Sequence, residues 1–69
     1  MALTVVEHAK FLLGWSKGKT ISRVSEESNF YKCGKWMSLI PADQLAEMLE
    51  SGMAIGTVRS FTMNKGMLK

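Results

Sequence analysis

Two stretches of this chain carry apolar residues at helical spacing. Leu45, Met48 and Leu49 fall three and four positions apart and so share one helical face. Asp43, Gln44, Glu47 and Glu50 fall on the opposite side, and Ala42 and Ala46 flank the apolar edge. Pro41 suits a first helical turn, where its missing N–H is no loss. Gly52 suits the left-handed residue that follows a helix. An amphipathic helix is therefore expected over residues 41–51. Near the start, Val5, Ala9, Leu12 and Leu13 form a second stripe, widened by Phe11 and Trp15. Thr4 and Glu7 have the spacing of a capping box, so this helix is expected from Val5 to about Trp15.

Elsewhere the period shortens. In residues 30–40, Phe30, Trp36 and Ile40 share one parity, and Tyr31, Met37 and Leu39 the other. A strand buried on both faces reads this way, with Gly34 as a bulge or close approach. Residues 57–63 are rich in β-formers and read as a strand. Residues 16–19 are a polar loop. Turns are expected at residues 26–29, where Asn29 can take a left-handed conformation at modest cost, at 53–56 and at 64–66. Residues 67–69 are expected to fray. Residues 20–28 stay open: Thr20, Ile21 and Val24 favour a strand, yet the spacing of Ile21 and Val24 fits a helix. The resulting order is helix, strand, strand, helix, strand. This is an α+β fold in a single domain, residues 1–69, with two helices on one face of a short antiparallel sheet.

An alternative, mainly α architecture comes from a resemblance. Residues 20–32 resemble the first helix and turn of a helix-turn-helix: Ser25 is the small residue inside the helix, Asn29 makes the turn and Phe30 follows it. Trp36, then Ile40-Pro41 and a further helix, is similar to small phage repressors. The resemblance spans Thr20 to Gly52, with Lys35 where that pattern expects an apolar residue and Gly34 inside the second helix. It implies that Tyr31, Lys32 and Lys35 face DNA.

Composition narrows the classes. Sixty-nine residues, 46% hydrophobic, make one small core, and a homodimer would add buried area. No segment approaches the roughly 20 apolar residues of a membrane span. Glu7, His8 and Lys10 interrupt any signal-peptide core. A single cysteine, Cys33, excludes an internal disulfide and suits a reducing, cytoplasmic setting. The net charge of +3 is blocked into an acidic central helix and basic flanks, and such a field steers encounters with charged partners.

Candidate chemistry is sparse. Gly14-Trp15-Ser16-Lys17-Gly18-Lys19-Thr20 is one residue short of a phosphate loop, and a helix precedes it where a strand should. One histidine, one cysteine and scattered carboxylates form no metal-ligand set. No nucleophile has an oriented base. No catalytic residue, metal or cofactor is therefore assigned, and an enzyme is not expected. His8 reads as a partly exposed surface residue, and Cys33 as a small half-buried side chain. Met37 and Met48 read as core. Met53, Met63 and Met67, with Phe61, Leu68 and Trp15, read as an adaptable apolar surface, and a core place stays equally open for Met63 and Met67.

The expected function is a small binding protein, a nucleic-acid-contacting regulator or accessory protein. Lys17, Lys19, Arg23, Tyr31, Lys32, Lys35 and Arg59 are the candidate contacts, the cations for the backbone and Tyr31 or Trp36 for base stacking. The alternative is a phage-type inhibitor or adaptor that docks on a larger host protein. It would use the acidic helix face, Asp43, Glu47 and Glu50, or the methionine-rich tail, Phe61, Met63 and Met67.

Overall fold

A computed structural model describes residues 4–68; Met1 to Leu3, read as a short lead, and Lys69, part of the basic tail, lie outside them. Helix α1 (Val5–Ser16) starts where the capping box predicts. The Glu7 N–H donates to the Thr4 hydroxyl and the Thr4 N–H donates to the Glu7 carboxylate, each at 3.1 Å. Three strands follow, β1 (Ile21–Arg23), β2 (Phe30–Cys33) and β3 (Trp36–Leu39). Helix α2 (Ala42–Ser51) then leads to β4 (Ala54–Gly56) and β5 (Ser60–Met63). Pro41 stands just before α2, at the N-cap position with no side-chain cap hydrogen bond, and not in its first turn as expected, and Gly52 ends the helix at φ 88°.

The five strands form one antiparallel sheet in the order β3-β2-β1-β5-β4. Both helices lie on one face: α1 packs on β5 and α2, and α2 packs on β4. The α+β expectation therefore holds. The helix-turn-helix alternative does not, because residues 21–39, which would have supplied its two helices, form three strands joined by turns. β-branched content at Thr20, Ile21 and Val24 outweighed the helical spacing, and Gly34 favours a turn over a helix interior.

Strand register explains which side chains are buried. Ile21 pairs with Phe61, Arg23 with Tyr31, and Ala54 with Met63. Ile21, Tyr31, Phe61, Met63 and Ala54 make one buried layer with Ala9 and Leu12 of α1, Leu45 and Met48 of α2, and Ile40 and Leu68. Tyr31 meets Phe61 edge-on, ring centroids 5.6 Å apart, and its hydroxyl donates to the Val58 carbonyl at 2.7 Å. Burial raises the Tyr31 pKa above the ordinary phenol value, against a smaller lowering by Arg23.

Several expectations change at this point. The run 30–40 is two strands, because Gly34 at φ 65° opens a two-residue turn that pairs Cys33 with Trp36. That turn reverses side-chain parity. Phe30 therefore pairs with Leu39, and Lys32 with Met37, on the outer face. Met37, read as core, is 63% exposed. The segment 53–56 holds a strand, and the turn falls at residues 57–59 instead. Gly56 makes this hairpin possible: at φ 138°, an added Cβ would lie 2.5 Å from the Ser60 carbonyl oxygen. Asn29 is not left-handed; Lys17 is the one non-glycine residue at positive φ among the described residues. Phe11 is exposed, whereas Leu68 in the tail is buried, and its N–H donates to the Asn64 carbonyl.

Two outcomes are expected. Met48→Ala removes a side chain with no solvent exposure and costs about 3 kcal/mol, nearly all that a core this size supplies. Glu47→Ala, on the exposed face of the same helix, changes little. Equal effects in denaturant titration would contradict this packing. The second concerns pH. The Thr4 backbone N–H, then its hydroxyl, holds the Glu7 carboxyl below the ordinary glutamate range. A lowered folded pKa gives stability that is present at neutral pH and lost as pH falls through that lowered range. The stability difference between the native chain and Glu7→Gln should shrink correspondingly in acid; a pH-independent difference would contradict it.

Candidate nucleic-acid interface

The seven residues expected to contact nucleic acid divide by location. Lys17, Lys19 and Lys35 line one cleft together with Trp15, Ser16, Cys33, Gly34 and Trp36. The other four do not join them. Tyr31 is buried in the core, so it offers no surface for stacking. Arg23 lies half-buried and donates through Nε to the Ser28 carbonyl at 2.9 Å. Arg59 pairs with Glu26 at 2.9 Å, both side chains more than three-quarters exposed, a geometry that contributes little in water. Lys32 projects on the outer sheet face, paired with Met37.

Two chain reversals build the cleft. The first ends α1. Lys17 turns left-handed at φ 54° and its N–H donates to the Leu13 carbonyl. Gly18 follows at φ 79°, and the Lys19 N–H donates to the Ser16 carbonyl at 3.0 Å. The amides of Lys17 and Lys19 are thus engaged within the loop and do not curl round an anion, as a phosphate loop's would. The second reversal is the Gly34-Lys35 turn between β2 and β3. Cys33 and Trp36, paired across it, face the helix side of the sheet. Because α1 ends at Ser16, Trp36 there remains 67% exposed.

The space between the two reversals is about 270 Å³. Three lysines and no Asp or Glu are among the residues that line it. The carbonyl end of α1 opens at the same place and favours nearby cations. Cys33 Sγ lies 3.9 Å from the Ser16 carbonyl. Ser16 is among the lining residues, and its hydroxyl is buried with no hydrogen-bond partner. Such a group costs stability that alanine would avoid. A lysine held left-handed carries a similar penalty, about 1 kcal/mol.

Trp36, expected from sequence as a candidate for stacking, is exposed on the cleft, whereas Trp15 read as part of the helix stripe and the tail surface. Its place directly before Ser16-Lys17-Gly18-Lys19 was the available signal. The protein-docking candidates divide as well. Asp43, Glu47 and Glu50 are exposed on α2, as expected. Phe61 and Met63 are core residues, which corrects their reading as surface: strand alternation turns both toward the helices. Met67 is exposed. Among the described residues no group of three or more His, Cys, Asp or Glu side chains could hold a metal, and no helix is long and apolar enough to cross a membrane.

Lys17→Gly should separate fold from binding. Glycine relieves the left-handed strain, partly offset by its greater unfolded-state entropy, for a net gain of about 0.5 kcal/mol. If the cleft is the expected nucleic-acid contact, affinity for a single strand should fall at the same time. A less stable Lys17→Gly protein in thermal or chemical denaturation would contradict the assigned backbone geometry.

No protein-family model, no curated protein and no solved structure matches this chain, so function is argued from its own geometry.

Proposed function

We propose that this chain is a non-catalytic binding protein of the cytoplasm that contacts nucleic acid as a regulatory or accessory component. The observation that carries this reading is the gathering of Lys17, Lys19 and Lys35 around one carboxylate-free cleft between two exposed or half-exposed indoles. Phosphate groups attract such a cluster, and counterion release from the nucleic acid supplies the driving force. Indoles add stacking that tolerates any base. The acidic face of α2 keeps the opposite charge on a separate element, which orients the molecule toward a polyanion.

A second reading has its own observation. Asp43, Glu47 and Glu50 are all exposed on α2, and none of them takes part in the one ion pair among the described residues, Arg59–Glu26. Unpaired carboxylates on a helix suit docking against a basic surface of a larger host protein, as an inhibitor or adaptor of phage type would. Phe61 and Met63 are no part of that surface, since both are buried.

Salt dependence separates the two readings. With three lysines on phosphates, log affinity for a single strand should fall with log salt at a slope of about −2. Each Lys→Ala substitution at 17, 19 or 35 should reduce that slope by about 0.7. Glu47→Lys with Glu50→Lys should leave it intact. Fluorescence anisotropy over a salt series measures this. No binding, or a slope indifferent to the three lysines, would reject the nucleic-acid reading.

A further inference from the structure

We infer that the cleft takes one unpaired nucleotide of a single strand: its base lies against the indoles of Trp15 and Trp36, and its flanking phosphates meet Lys17 and Lys19 on one side and Lys35 on the other. This rests on the nucleic-acid reading and adds the kind of nucleic acid and the mode of contact.

Size is the first reason. At about 270 Å³ the space is just below the range of pockets that enclose drug-sized molecules. It admits one planar ring system and excludes a duplex. Shape is the second. Duplex readers push a helix or a strand ribbon outward into a groove. Here the cations line a concavity, and the amphipathic helix α2 presents carboxylates. A base in a duplex is already stacked and cannot enter; an unpaired one is free to do so.

The aromatic groups give the third reason. Ring pairs among the described residues are His8–Phe11 and Tyr31–Phe61. Neither indole of the cleft pairs with another ring; Trp36 is exposed, while Trp15 is half-buried against the core and offers a base only its uncovered part. Trp36 is the most exposed large apolar side chain among the described residues, and it borders the turn that carries Lys35. Removing so much indole from water needs a flat apolar partner, and a nucleobase is one whose backbone also brings the anions that the lysines want. The lysines come from two separate loops, residues 16–19 and 34–35, so a strand crossing the cleft meets positive charge on both sides of the inserted base.

The test uses the full chain and three probes: an oligothymidylate of about ten nucleotides, a duplex of equal length, and the same single strand with abasic sites throughout its centre. The single strand should bind at least about ten-fold tighter than the other two and should quench indole fluorescence. Trp36→Leu should weaken its binding about ten-fold while leaving the unfolding midpoint unchanged, as expected at an exposed position. Equal affinity for the duplex, or for the abasic strand, would overturn base insertion and leave the nucleic-acid reading standing. Undiminished binding by Trp36→Leu would overturn it too. Failure of all three probes to bind would overturn both.

Discussion

Leu45 and Met48 of α2 and Ala9 and Leu12 of α1 close against Ile21, Tyr31, Phe61, Met63 and Ala54 of the sheet, and everything else in the molecule follows from that single apolar layer. A chain of this length can cover one face of a sheet but not two. The helices gather over β5 and β4. The outer face therefore keeps Phe30, Met37 and Leu39 in contact with water, and the β2–β3 hairpin projects beyond the end of α1. The cleft is the margin of this helix layer. It lies where the end of α1 at Ser16 and the β2–β3 turn meet.

Charge is distributed over the same frame. The carboxylates of α2 sit on the face turned away from the core, where hydration compensates them. The lysines of the cleft sit on two turns, where the backbone needs polar or glycine residues in any case. Lys17 departs from that economy, occupying a left-handed position that glycine would fill with less strain. Ser16 does likewise, burying a hydroxyl with no partner. Local strain and unsatisfied polarity concentrate at binding sites, because the surrounding fold can sustain them there. Their presence on the adjacent residues Ser16 and Lys17, beside a cleft lined by three lysines, fits the proposed binding role.

The helices were legible because their signals are local. Thr4 and Glu7 specify one start, Gly52 one end, and a 3.6-residue period one buried edge. The strands were only half legible. Period two tells which residues share a face but not which face is covered, so Phe61 and Met63 could be read as surface and Met37 as core. The two-residue turn at Gly34 hid a parity reversal, because both parities of residues 30–40 are apolar. Ala54 to Gly56 looked like a turn with Gly52 just before it and Gly56 at its end, and its pairing with β5 is set by residues five to nine positions away. Of the cleft, the lysines and Trp36 could be named from sequence, but their meeting depends on β-hairpin register, which no local pattern carries.

The central claim is that nucleic acid meets this molecule at the α1–β1 loop and the β2–β3 turn. Backbone amide and indole N–H resonances, followed by NMR during titration with a short single strand, report on it most directly. The account predicts shifts confined to residues 15–19 and 33–36, including both indoles, with α2 unmoved. Shifts centred on Asp43, Glu47 and Glu50, or on the outer face of the sheet, would contradict it.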